Sequence, residues 1–84
     1  LTRLAGKTHL SGARYADWVR DWTAQALRAP TTDAQEREAF LDRQSGETRP
    51  RFTDLARRAR QARTNAELLD AARDLDTWRR EMTE

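Results

Sequence analysis

The chain contains almost none of the β-branched aliphatic residues that a β-sheet needs. Val19 is its only valine, and isoleucine does not occur among its 84 residues. Strands carry such residues on their pleated faces, so a β fold is disfavoured. Alanine, leucine, arginine, glutamate and glutamine, which favour helices, dominate instead. The composition therefore predicts an all-α protein.

Apolar periodicity and chain breakers divide the sequence into helices. Apolar residues recur every three or four positions, and breaks fall at residues 29–30, 45–46 and 64–65. Short connections favour antiparallel neighbours, so we expect a small antiparallel bundle of about four helices. We predict residues 1–10 as a short flap or partial helix, followed by helices over about 11–28, 33–44, 50–63 and 65–82.

Capping signals support three of these helix ends. Asp33 with Glu36, and Thr64 with Glu67, have the spacing of a capping box, in which each side chain accepts a hydrogen bond from the backbone N–H of the other residue. Gly46 can adopt the left-handed conformation that often ends a helix. We therefore expect helices to begin after Asp33 and Thr64 and one to end at Gly46.

The bulky apolar residues of the four helices form the predicted core. Trp18 and Trp22 lie one helical turn apart, and we expect both to be buried, because the chain is short of aliphatic mass. The alternative is an exposed aromatic platform that stacks bases or grips a partner. The predicted core comprises Trp18, Trp22, Phe40, Leu41, Phe52, Leu55, Leu68, Leu75, Trp78 and Met82.

Length and composition set the broad class of protein. We expect residues 1–84 to form a single helical domain, and the start at Leu1 rather than methionine favours a segment of a larger protein. The absence of cysteine rules out a disulfide framework or a thiolate metal site within this sequence. No apolar run reaches the length of a membrane span and no signal peptide is visible. We therefore expect a cytoplasmic protein without a membrane partner.

Fifteen arginines against one lysine, Lys7, is an unusual ratio. It is typical of a GC-rich bacterial genome, and we expect a bacterial protein. The alternative explanation is selection for the planar guanidinium, which binds phosphates and carboxylates through two hydrogen bonds and so favours arginine over lysine.

The positive charge of the chain collects in residues 49–63. This stretch holds six arginines and one acid, whereas residues 1–48 sum to zero and residues 64–84 to −3. On a helix these arginines fall mainly on the exposed side. The predicted binding residues, for nucleic acid or for an acidic partner, are Arg49, Arg51, Arg57, Arg58 and Arg60.

Little in the sequence could carry catalysis. His9 is the only histidine, and it has no cysteine or evident acid partner. The carboxylates are scattered over outward faces rather than grouped as metal ligands. We therefore predict a protein that is not an enzyme and has no catalytic residue, metal site, cofactor or small-molecule substrate.

These observations leave three interpretations of the basic stretch. The first is a non-catalytic binding module that contacts nucleic-acid phosphates through the helix 50–63. The alternative is a protein-docking or oligomerisation module, for example one recruited to a secretion or DNA-transfer machine. Its partner would be an acidic protein surface or the acidic segment 64–84 of another copy. In the third, the arginines only keep the bundle soluble.

One short segment is similar to a known family. Residues 4–7, Leu-Ala-Gly-Lys, with Leu10 and Gly12, resemble the opening of the helical delivery domains by which bacterial type IV secretion systems recognise relaxases and effectors. The resemblance covers about a dozen residues. The helix that follows lacks the lysine and arginine spacing of those domains, so no functional residue is carried over.

Overall fold

The fold consists of helices packed against one another, which confirms the predicted all-α bundle. The computed structural model describes the backbone of residues 3–84 and the side chains of residues 11–84. Within these residues there is no strand. The helices are α1 (Arg3–Ala26), α2 (Ala34–Ser45), α3 (Phe52–Gln61) and α4 (Asn65–Thr83).

Helix α1 begins earlier than the sequence predicts. It starts at Arg3 rather than near Ser11, so most of the segment 1–10, predicted as a flap or partial helix, is the first part of α1. Gly6 and Gly12 lie within α1, where a glycine costs about 1 kcal/mol relative to alanine. Packing at Gly12 offsets that cost. Residues 1–2, and the side chains up to residue 10, lie outside the described part.

Gly12 is buried where α1 passes closest to α3. A Cβ atom at this position would lie 1.9 Å from the carbonyl oxygen of Ala59 and 3.2 Å from Leu68. The buried alanines Ala16 and Ala56 extend this contact between small residues. Glycine therefore allows the two backbones to approach more closely than any side chain would permit.

The predicted N-cap residues are confirmed, but the capping box is complete only at Thr64, because the backbone N–H of Asp33 donates to Thr31 and not to Glu36. The Asp33 carboxylate accepts a hydrogen bond from the backbone N–H of Glu36 at 3.0 Å. Thr64 and Glu67 form a complete capping box at the start of α4. At the end of α2, Gly46 has a φ of 68°, in the left-handed region that favours glycine.

Helix α3 is shorter than the predicted span 50–63. It begins at Phe52, after Arg51 in an extended conformation, and ends at Gln61. Ala62 is also extended, with φ −61° and ψ 127°, and its side chain is buried. Because Ala62 turns into the core, the helix cannot continue to residue 63.

Helices α1 and α4 run in the same direction. Leu68, near the start of α4, lies beside Gly12, and Arg79, near its end, lies over the ring of Trp22. In each contact, the residue that comes later in α1 lies beside the residue that comes later in α4. The two helices therefore share one long side of the molecule.

Helices α3 and α4 form an antiparallel pair. Phe52, at the start of α3, packs against Trp78 near the end of α4, with ring centres 5.3 Å apart. Arg58, further along α3, contacts Asp74, one turn earlier on α4. This pairing places the basic helix directly beside the acidic one.

The core contains few bulky residues and many alanines. Burial is confirmed for Leu41, Phe52, Leu55, Leu75 and Trp78, whereas Phe40, Leu68 and Met82 are half-buried at the margin. The prediction is wrong for Trp18 and Trp22, which are 49% and 39% exposed. Val19 and six alanines complete the buried set: Ala16, Ala24, Ala56, Ala59, Ala62 and Ala71.

The polar groups between α2 and α4 are satisfied where they are buried. The indole N–H of Trp78 donates to the hydroxyl of Ser45 at 3.1 Å, and that hydroxyl donates to the carbonyl of Leu41 at 2.9 Å. Buried polar atoms without partners cost about 1–3 kcal/mol each. The two hydrogen bonds therefore fix the indole of Trp78 in one orientation and leave neither the indole N–H nor the hydroxyl of Ser45 unpaired.

Candidate functional site

The arginines of residues 49–63 do not share one exposed face. Arg60, predicted on the exposed side of α3, turns toward α1 and α2, and its side chain is 34% exposed. Its guanidinium contacts Asp17 at 3.0 Å and Glu38 at 3.1 Å. The cause is helical position, because Arg60 follows the buried Ala56 by one turn.

Arg60 belongs to a cluster of three arginines and three acids that joins α1, α2 and α3. Within it, Arg20 donates to Asp21 at 2.9 Å, and Arg37 reaches the same carboxylate at 3.2 Å. The hydrogen bond from Arg20 lowers the pKa of Asp21, and the same bond raises the pKa of Arg20. We call this set the ion-pair cluster: Asp17, Arg20, Asp21, Arg37, Glu38 and Arg60.

The other arginines of α3 also have carboxylate neighbours. Arg58 contacts Asp74 of α4 at 2.6 Å, and Arg57 contacts Asp54 of its own helix at 3.4 Å. All four side chains are about half exposed or more. Exposed ion pairs contribute only about 0–1 kcal/mol, so both arginines can exchange these partners for another anion.

The two arginines that precede α3 differ. Arg49 lies 3.8 Å from Glu81 of α4. Arg51 is exposed at the start of α3 and forms no ion pair with the residues that the structure describes. Four of the five predicted binding arginines therefore have an acid beside them in the folded chain, and no continuous basic surface results.

Two of the three exposed bulky apolar residues in the described part, Trp18 and Trp22, lie on α1, and the third, Leu69 of α4, is 62% exposed. Tyr15 and Trp18 stack with ring centres 5.9 Å apart and planes at 26°. Trp18 and Trp22 stack in the same way, at 6.2 Å and 30°. We call Tyr15, Trp18 and Trp22 the aromatic ridge. It occupies the margin of α1 that faces solvent and α4.

A competing stripe of small residues explains why the tryptophans are outside. Gly12, Ala16, Val19 and Thr23 have spacings of four, three and four, which is the pattern of a helix seam, and all are buried. Only this stripe lets α3 approach closely. The same spacing is visible in the sequence and is the signal that could have located the ridge.

Arg79 of α4 covers the ridge from one side. Its guanidinium carbon lies 4.8 Å from the ring centre of Trp22 and 5.6 Å from that of Trp18. Asp76 holds it through a contact of 2.6 Å. A cation over an indole face contributes about 0.5–2 kcal/mol. Arg79 and the stacking together cover part of each indole, and Trp18 and Trp22 stay 49% and 39% exposed.

Further charged groups surround the end of the ridge nearest Tyr15. Arg80 also contacts Asp76, at 3.0 Å, and its side chain is 67% exposed. Partial burial, and next the charge of Asp76, raise the pKa of the Tyr15 hydroxyl, against the opposing charges of Arg79 and Arg80. The ridge is thus an apolar surface with arginines along its α4 side.

Other classes of site find no support in the described residues. They contain no group of three or more histidine, cysteine, aspartate or glutamate side chains placed to hold a metal ion. The side chain of His9 lies outside the described part. None of the described helices combines the length and the apolar character needed to cross a bilayer.

Comparison with protein-family models, with curated proteins and with solved structures finds no match to this chain. The resemblance of residues 4–12 to secretion delivery domains therefore gains no support from relatives. The ridge and the paired arginines are the observations on which function has to rest.

Proposed function

We propose that this chain is a non-catalytic protein-docking module whose partner contacts the aromatic ridge. The observation that carries the proposal is the exposure of Trp18 and Trp22 in a chain with little bulky apolar material. A tryptophan side chain can bury about 200 Å², and burial contributes about 25 cal/mol per Å². Covering the exposed half of each ring would therefore contribute about 2 kcal/mol per residue before binding costs.

The composition of the surface fits a protein partner. Tryptophan, tyrosine and arginine are the residues most enriched among those that dominate protein–protein binding energy. The ridge and Arg79 bring these three residue types into mutual contact. Stacked nucleic-acid bases need free ring faces. Here the rings and Arg79 cover one another in part, which leaves less free ring face for a base.

A displayed library of helical peptides tests this proposal. Peptides selected on the wild-type chain should bind Trp18→Ala at least about tenfold more weakly, because the ring supplies the main contact area. Trp18→Phe should retain most of the affinity. Gln61→Ala, at an exposed position of α3, is the matched control and should bind like the wild type.

Circular dichroism establishes that each variant is folded before affinities are compared. If the selected peptides bind Trp18→Ala and Trp22→Ala as tightly as they bind the wild type, the ridge is not the docking surface and the proposal is refuted.

Nucleic-acid binding through α3 is a second candidate, favoured by the accessibility of Arg51, Arg57 and Arg58. Titration of labelled DNA and RNA at two salt concentrations tests it. Phosphate contacts predict binding that weakens steeply with salt and that the double change Arg57→Glu with Arg58→Glu removes. The absence of binding at low salt would refute this candidate.

A further inference from the structure

The charges of α4 are segregated between its two sides. Asp74 and Glu81 contact arginines of the 49–63 stretch on the α3 side. On the side of the ridge, Arg79 and Arg80 share the single carboxylate of Asp76. Although residues 64–84 sum to −3, the side of α4 next to the ridge is therefore positive.

Two more arginines extend this positive border. Arg73 lies seven residues before Arg80, on the same face of α4, and Arg14 lies one turn before Trp18 on α1. Both are exposed, and neither forms an ion pair within the described residues. Apart from Asp76, Glu84 is the acid nearest this face, one turn beyond Arg80. On the α4 side of the ridge there are thus three arginines, Arg73, Arg79 and Arg80, against two carboxylates, whereas Asp17 and Asp21 on the other side are paired with the arginines of the ion-pair cluster.

This charge pattern disfavours a second copy of the chain as the occupant. A two-fold dimer places a surface against itself. Ridge-to-ridge contact would bring the arginine-rich sides of two α4 helices together, which opposes association. A partner with carboxylates beside an apolar strip would instead complement both features of the surface.

The dimensions of the ridge favour a helical partner. Tyr15 and Trp22 are seven residues apart on α1, a distance of about 10 Å along the axis. An amphipathic helix presents anchors at i, i+4 and i+7 over the same length. The alternative mode, addition of a strand, needs a sheet edge, and the described residues contain no strand.

We propose that the aromatic ridge binds an acidic amphipathic helix of a partner protein, a statement that rests on the proposed docking function. Apolar side chains of that helix contact Trp18 and Trp22. Carboxylates on its flank contact Arg80 and the exposed Arg73. Arg79 stays over the indoles and keeps the rings in register for the partner.

Two designed peptides test the proposal directly. Both are capped, alanine-rich helices of three heptads with leucine at the same i, i+3, i+4 and i+7 positions. One carries glutamate beside the leucine strip and the other carries lysine. Fluorescence polarisation should show the glutamate peptide binding at least about tenfold more tightly than the lysine peptide, with a smaller ratio at high salt.

Matched variants locate the contact. Arg80→Glu should weaken binding of the glutamate peptide at least about fivefold, and Trp18→Ala about tenfold or more. Arg57→Glu makes the same charge change on the exposed side of α3 and should leave the affinity unchanged. Tighter binding of the lysine peptide by Arg80→Glu would support the assignment of the charged contact.

The outcomes separate this inference from the docking function itself. If both peptides bind equally and Trp18→Ala removes both, the acidic partner is wrong while docking at the ridge stands. A failure of the glutamate peptide to bind at about 1 mM also overturns the inference. A dimer that sedimentation equilibrium detects in the wild type, but not in Trp18→Ala, identifies a second copy as the occupant and overturns it as well.

Discussion

The packing of α1 on α3 predicts that Gly12→Ala destabilises the protein, although alanine is the better helix former. An alanine Cβ would lie 1.9 Å from the carbonyl oxygen of Ala59 and 2.8 Å from its carbonyl carbon. Ordinary contact begins near 3.4 Å. The two helices would therefore have to separate locally by about 1.5 Å, the difference between these distances. The obstructing atoms belong to the backbone and cannot rotate away.

Two effects of opposite sign set the magnitude. Overpacking of a core usually costs about 1–3 kcal/mol, and a clash with backbone lies at the upper end. The higher helix propensity of alanine returns about 1 kcal/mol. We expect a net loss of about 2 kcal/mol in the free energy of unfolding. For a domain of this size such a loss lowers Tm by roughly 10 °C.

Urea denaturation followed by circular dichroism measures this difference. The adjacent exposed position provides the control, since Ser11→Gly and Ser11→Ala differ only in helix propensity. There the alanine variant should be the more stable by about 1 kcal/mol. At position 12 the order should reverse. A Gly12→Ala protein as stable as the wild type would show that α1 and α3 do not pack as described.

Three further substitutions probe local features of the fold. Arg28 lies in the turn just beyond the end of α1 and has a φ of 57°, so Arg28→Gly should raise the free energy of unfolding by up to about 1 kcal/mol, measured in thermal melts. No gain would contradict a left-handed conformation there. The hydrogen bond from Arg20 lowers the pKa of Asp21 in the folded protein. The ion pair therefore stabilises the fold above the unfolded pKa near 3.9, and this stabilisation is lost as pH falls through the folded pKa. Asp21→Asn should cost about 0.5 kcal/mol at pH 7, and the difference from the wild type should shrink below about pH 4 in urea titrations. The hydroxyl of Thr23 is buried and has no hydrogen-bond partner in the described residues. Thr23→Val should therefore be neutral or stabilising by about 1 kcal/mol. A clear loss of stability in urea denaturation would instead reveal a hydrogen bond to the Thr23 hydroxyl.

Features that depend on neighbouring residues were predictable from the sequence. The caps at Asp33 and Thr64 and the left-handed Gly46 operate within about four residues, and the structure places all three as predicted. The stripe of α4 was also predictable, because Leu75 and Trp78 have no competing apolar face. Predicting such features does not require knowing which helices pack against each other.

The size of its side chains did not predict which face of α1 is buried, because the helix carries two apolar stripes. One contains the tryptophans and the other begins at Gly12, and both have helical spacing. Hydrophobicity alone favours Trp18 and Trp22. The close approach of α3 selects the small stripe instead, and Ala59 lies some fifty residues away in sequence. The exposure of the ridge is therefore a consequence of tertiary packing.

The surroundings of the predicted binding arginines were not predictable for a related reason. A tally of charge along the chain assumes that neighbours in sequence are neighbours on the surface. In the fold, Arg58 meets Asp74 and Arg49 meets Glu81, so the basic and acidic segments partly neutralise each other within one copy. That pairing also removes the main reason to expect another copy to join through these segments. On the opposite side of α4, Arg80 borders the ridge, and charge reversal there should affect the binding of a ridge partner more than charge reversal at Arg57.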